Sequence, residues 1–152
     1  MYIRAAAEPD IPALLRLIND HARRGDLLPR SAISIRETLV DWLVAEDPDG
    51  TLVACVSLLF YTPVLAEVRS LAVADSVKGK GYGRLLVRAL IEQARLRGVP
   101  TLFALTRAVG FFEKVGFTVT RKERFPQKVW RDCVICPIQA HCDETAVMLE
   151  LI

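Results

Sequence analysis

Net charge is nearly absent from this chain: 20 lysines and arginines against 18 acidic residues leave +2. With no basic run interleaved with aromatics, that balance gives no electrostatic footprint for nucleic acid. Long hydrophobic runs are absent too. The longest, Leu52 to Phe60, falls far short of a membrane span. Met1-Tyr2-Ile3-Arg4 lacks the apolar core of a secretory signal. The expectation is a cytoplasmic, soluble protein that engages neither nucleic acid nor membrane. No internal repeat or low-complexity linker divides the 152 residues, of which 52% are apolar and 25% charged. A single domain over residues 1–152 with a substantial core follows.

What is present reads as alternating strands and helices. Tyr2–Ala6 is a first strand, and a helix begins near Glu8-Pro9-Asp10, with Ile11, Leu14, Leu15 and Ile18 at helical spacing. Gly25 ends it, Leu27–Ser31 is a loop, and a second helix covers about Ile33–Asp41. Trp42–Glu46 and Leu52–Phe60 flank the turn signal Asp47-Pro48-Asp49-Gly50 and should form a hairpin. A fourth strand runs Leu65–Val73. The main helix, Arg84–Arg97, puts Arg84, Arg88, Glu92 and Arg95 on one face and Leu86, Leu90 and Ala94 on another, and Gly98 stops it. Thr101–Thr106 is a fifth strand, Ala108–Val115 a short helix closed by Gly116, Phe117–Arg121 a sixth strand and Thr145–Ile152 the last.

The segment between the fourth strand and the main helix is Lys78-Gly79-Lys80-Gly81-Tyr82-Gly83-Arg84. Glycines let successive backbone N–H groups point into one concavity, and a helix N-terminus adds partial positive charge. Such a loop suits a diphosphate, with Lys78, Lys80 and Arg84 as counter-charge. A dinucleotide fingerprint is excluded because the third glycine comes one residue too early, and no Walker loop is present.

The remaining pattern resembles the acyl-CoA loop of the GNAT N-acetyltransferase family, Gln/Arg-x-x-Gly-x-Gly/Ala, with Lys78 in the first position. Two further stretches agree. Glu67-Val68-Arg69-Ser70-Leu71-Ala72-Val73 resembles that family's fourth strand, and Phe111-Phe112-Glu113-Lys114-Val115-Gly116-Phe117 resembles its signature after the fifth. The resemblance implies an α/β, acyl-CoA N-acyltransferase fold: a central, mixed, mostly antiparallel sheet flanked by helices. It implies acetyl-CoA as co-substrate, its pantetheine arm lying between splayed fourth and fifth strands. Backbone groups of Leu71 and Val73 would then meet the arm, and Val77–Arg84 would surround the diphosphate.

An amine attacks a thioester only as the free base, so a proton must be taken. Glu67, on the strand beside the expected thioester, is the candidate base, directly or through water, or else helps hold the cation. A backbone N–H near Leu71 or Ala72 would face the oxyanion. Phe112 stands where many members have a tyrosine thought to reprotonate the thiolate. It is read as core or cofactor packing.

For the acceptor, Leu27–Ser31, Leu105-Thr106-Arg107 and Phe111-Phe112 resemble the bacterial N-acetylglutamate synthases, and Phe125–Cys133 resembles a tail of their short, stand-alone forms. That resemblance implies Arg30 and Arg107 at the acceptor site, where guanidinium groups would grip the two carboxylates of L-glutamate. The longer synthases carry an arginine-sensing domain for which this chain has no room, so arginine feedback is not carried over by the resemblance. Alternatives are an acetyltransferase for another small amine, amino acid or protein N-terminus, or a non-catalytic CoA- or metal-binding sensor. A homodimer stays open. Cys55, in an apolar strand, reads as a small core residue. Cys133, Cys136, His141 and Cys142, in the 122–144 segment, suit zinc, an iron–sulfur cluster or plain reduced thiols, and no metal ligand is assigned.

Overall fold

Short apolar runs become seven strands and four α-helices among the described residues of the computed structural model, which are 1–25, 27–125 and 144–151. In chain order these are β1 (Tyr2–Ala5), α1 (Ile11–Arg23), α2 (Ala32–Glu37), β2 (Trp42–Glu46), β3 (Leu52–Thr62), β4 (Leu65–Val73), α3 (Tyr82–Leu96), β5 (Thr101–Thr106), α4 (Val109–Lys114), β6 (Thr118–Thr120) and β7 (Thr145–Glu150). The strand order in the sheet is β1-β2-β3-β4-β5-β7-β6. The chain forms two compact units, one of Met1–Leu59 with Val68–Gln93, the other of Phe60–Glu67 with Ala94–Ile152. The cysteine segment, with Cys133, Cys136, His141 and Cys142, lies outside the described residues.

In the first unit β2 runs antiparallel to both β1 and β3, the expected hairpin included. Asp47 organises the hairpin turn: its Oδ1 accepts from the Asp49 N–H at 2.9 Å and the Thr51 N–H at 3.0 Å. Ile11, Leu14 and Ile18 of α1 and Ile35 of α2 bury against Trp42, Val44, Cys55 and Ala72. Removing such side chains from water supplies most of the driving force for this packing.

The second helix is shorter than the sequence reading predicts. Ser31 caps α2, its Oγ accepting from the Ser34 N–H at 3.1 Å, and Thr38 ends it. The Thr38 hydroxyl donates back to the Ser34 carbonyl at 2.9 Å and accepts from Trp42 Nε1 at 3.0 Å. A threonine so engaged competes with the helix, and Leu39–Asp41 continues as one 3₁₀ turn.

Arg4 ties β1 to its neighbours. Its Nε donates to Glu46 Oε2 at 2.6 Å, and Nη1 and Nη2 donate to the Asp10 carboxylate at 2.7 and 2.9 Å. The hydrogen bond from Arg4 is the largest cause holding the Asp10 carboxyl below its ordinary value. Native Asp10 therefore binds its proton less readily than in the unfolded chain. The stability it confers is present above the ordinary carboxyl range and is lost as pH falls through the depressed value. Arg4→Ala is expected to cost about 1–3 kcal/mol, since partly buried charge-assisted bonds are lost. Urea unfolding at neutral and acid pH checks it: the deficit should shrink on acidification, and an equal deficit at both would contradict the ion-pair account.

In the second unit β5 is antiparallel to β7 from Thr101↔Glu150 to Thr106↔Thr145, and β7 continues to β6. Leu65–Glu67 of β4 runs parallel to Thr101–Phe103 of β5, which makes the sheet mixed. Phe103, Phe125, Ala146 and Met148 are buried together, with Tyr61, Leu65 and Leu105 packed against them. The Phe103 and Phe125 rings stack at 4.0 Å.

Candidate active site

The glycine loop begins where β4 ends. The Ala74 N–H bonds the Val53 carbonyl at 2.7 Å, a 3₁₀ turn covers Asp75–Val77, and buried Val77 anchors the start of the loop. Gly79 and Gly81 have φ of +79° and +85°, the left-handed region that side-chain-bearing residues avoid. A Cβ at Gly79 would meet nothing within 4 Å, and one at Gly81 only Arg84 Nη2 at 3.9 Å. Backbone conformation rather than crowding therefore calls for glycine. The Leu85 N–H bonds the Gly81 carbonyl at 3.1 Å and opens α3, so the amides just before it belong to the helix's partner-poor first turn. Tyr82 and Gly83 are buried, whereas Lys78, Lys80 and Arg84 are exposed. Asp75 accepts from Lys78 Nζ at 3.0 Å and Arg24 Nη1 at 3.2 Å, and the Lys78 bond is the largest cause of its lowered carboxyl pKa. Turned amides, a fifteen-residue helix's N-terminus and three cations fit a diphosphate.

Upstream, β4 is bent at one residue. Ser70 sits at φ +58°, the positive-φ non-glycine residue among those described, and it is buried. Such a conformation costs ~1–3 kcal/mol and holds only where neighbours over-determine it. Two β3 side chains do so. Ser57 Oγ donates to the Arg69 carbonyl at 3.2 Å, and Cys55 Sγ donates to the Ser70 carbonyl at 3.3 Å. Burial, the dominant influence, pushes the Cys55 thiol up to about 12, against a smaller lowering by the Ala72 backbone, and keeps it protonated at neutral pH. Leu71 and Val73, on alternate positions beyond the bend, stay partly exposed, whereas Ala72 is buried.

Glu67 is buried at 2% exposure, on β4 opposite Phe103 of β5. Its Oε1 accepts a hydrogen bond from Tyr61 Oη at 2.7 Å. The Tyr61 ring packs on Phe103 at 5.7 Å. Sequence reasoning missed Tyr61, because it ended the third strand at Phe60 whereas β3 continues to Thr62. The available signal was the two-residue link Pro63-Val64, which folds β3 back beside β4 and returns position 61 toward position 67.

Arg30 is half-buried in the first unit. Its N–H bonds Asn19 Oδ1 at 3.4 Å, and its Nε makes a long contact of 3.5 Å with Ser70 Oγ. It thus lies beside the bend of β4. Arg107 is exposed, directly after β5, where Thr106 Oγ1 accepts from the Ala108 N–H at 2.8 Å and starts the turn toward α4. Phe112 is buried edge-on against Phe111 and Phe117, each at 5.2 Å, which is a packing environment. Among the described residues no cluster of three or more His, Cys, Asp or Glu could hold a metal, and no helix is long and apolar enough to cross a membrane.

Comparison with known proteins gives a concordant picture. The profile of the Acetyltransferase (GNAT) family matches residues 13–117. An uncharacterized N-acetyltransferase of Chlorobaculum tepidum is 42% identical over 98% of this chain and 96% of its own length. The amino-acid acetyltransferase of Mycobacterium tuberculosis is 33% identical over 76% of this chain and 67% of its own. Among solved structures, N-acetylglutamate synthase from Neisseria gonorrhoeae, complexed with coenzyme A and N-acetyl-glutamate, superposes with a TM-score of 0.83 at 28% identity. That match covers 99% of this chain but 35% of the synthase, so the chain spans about a third of that protein's length.

Proposed function

The chain belongs to the Acetyltransferase (GNAT) family, and on that premise we propose that it acetylates the amino group of L-glutamate by direct attack within a ternary complex. Its co-substrate is acetyl-CoA, which supplies the thioester carbonyl that the amine attacks. The loop Lys78–Arg84 holds the diphosphate through turned amides and cations, and the exposed side of Leu71 and Val73 offers backbone groups to the pantetheine arm. A backbone N–H near Leu71 or Ala72 is the donor toward charge developing on the carbonyl oxygen. Glu67, four residues earlier on the same strand, takes the ammonium's proton. Phe112 has no proton to give, and the thiolate leaves without its help.

One observation carries the acceptor assignment: Arg30 is folded against Ser70, adjacent in sequence to Leu71, so a guanidinium stands beside the part of β4 assigned to the reaction. The sequence resemblance to the synthases assigns the second cation to Arg107. Two arginines suit an amino acid with two carboxylates. The resemblance to amino-acid acetyltransferases supports the same reading. The product, N-acetylglutamate, would enter arginine biosynthesis.

An acceptor panel with acetyl-CoA, followed by thiol release, tests the proposal. Arg30→Ala and Arg107→Ala should each lower kcat/KM for glutamate by ~10- to 150-fold, the worth of a charge-assisted hydrogen bond, with KM for acetyl-CoA little changed. Arg→Lys should restore only part, since the planar fork is lost. Glutamine should be the poorer acceptor. If neither variant weakens glutamate use, or glutamine serves as well, the glutamate assignment fails and another small amine or a protein N-terminus takes its place. Turnover with no amine would remove the enzymatic reading itself.

A further inference from the structure

Tyr61 makes a polar contact to the candidate base that the chemistry above leaves unused. Its hydroxyl donates to Glu67 Oε1 at 2.7 Å, and its ring is set by Phe103, which in turn stacks on Phe125. A carboxylate at 2% exposure has lost most of its water, so a donor that fixes one oxygen has two effects. It stabilises the ionised form, and it holds the carboxylate in an orientation the side chain alone would not keep. We propose that Tyr61 is a positioning residue for Glu67, holding the carboxylate ionised and aimed. The proposal rests on the reading of Glu67 as the base.

The groups around Glu67 suit that role. Tyr61 reaches it from β3, and the β5 neighbour in register is the apolar Phe103. Along β4, Arg69 is the nearest cation in sequence, itself buried, with its carbonyl held by Ser57. Removing the Tyr61 hydroxyl while keeping the ring preserves the packing on Phe103 and deletes one oxygen.

Tyr61→Phe, Glu67→Gln and the double variant form the test. Tyr61→Phe is expected to lower kcat about 10-fold, the worth of one charge-assisted bond, with KM for acetyl-CoA unchanged. The acid limb of its pH–rate profile should move upward by about one unit, because a carboxylate deprived of its donor ionises less readily. In the Glu67→Gln background the same substitution should do little more, since its partner's function is already gone. Thermal melting of Tyr61→Phe confirms that the variant is folded. A wild-type rate and profile in Tyr61→Phe, beside a slow Glu67→Gln, overturns the positioning role and leaves the base reading intact. Equal losses in both backgrounds overturn it too, by making Tyr61 independent of Glu67. A fast Glu67→Gln enzyme overturns the base reading and the inference with it.

Discussion

Glu67→Gln is expected to lower kcat by ~10²–10⁴-fold at neutral pH while acetyl-CoA affinity stays close to wild type. Glutamine has nearly the same shape, and its amide oxygen still accepts from Tyr61 Oη, so the fold around position 67 is preserved. What disappears is the ability to take a proton. Raising the pH should return part of the lost rate, because more of the amine then arrives as the free base. The pH dependence of the variant decides the matter: a normal rate with an unchanged profile would leave Glu67 a buried structural carboxylate.

Gly81→Val should weaken coenzyme A binding by more than ~10-fold, because a β-branched residue at a φ of +85° is a severe outlier and the loop must abandon its conformation. Binding is read as the rise in melting temperature with added coenzyme A, since a ligand that engages only the folded state stabilises it by mass action. Gly50→Val is the matched control. Its φ of +82° imposes the same backbone penalty in the β2–β3 turn, so stability should fall while coenzyme A affinity holds. Wild-type affinity in both variants would remove the loop from the binding site. Equal loss in both would trace the effect to general destabilisation.

Much of the fold was legible because its signals are local. The bounds of β4 and β5 agree with the sequence reading, each being an apolar run between clear breaks. The hairpin β2–β3 was readable from Asp47–Gly50, whose turn chemistry needs nothing beyond itself. α2 was read too long because the break at Thr38 depends on a hydroxyl finding Trp42 Nε1, a contact made only once the chain has folded back. Tyr61 was missed for a related reason: strand ends are set by pairing, and only the shortness of the Pro63-Val64 link tells that β3 stays paired beyond Phe60. Ser70 left no trace at all. A glycine would have announced a left-handed residue, but this bend is imposed by Cys55 and Ser57 from the next strand. Lys78, Lys80, Arg84 and the glycines between them stand out in the sequence, whereas the groups that hold the β4 backbone and the Glu67 carboxylate do not.

The thiol wedged into that bend also gives the molecule a chemical lifetime of its own. Cys55 is wholly buried and keeps its proton up to a pKa of about 12, so an electrophile finds no thiolate while the strands are closed. Reaction requires β3 and β4 to part locally and admit the reagent, and its rate then measures how often that opening occurs. An adduct at this sulfur has no space in the closed strands, so each opening that is caught cannot be undone. Any ligand lying along Leu71–Val73 would make such openings rarer and so delay inactivation, coupling chemical durability to occupancy.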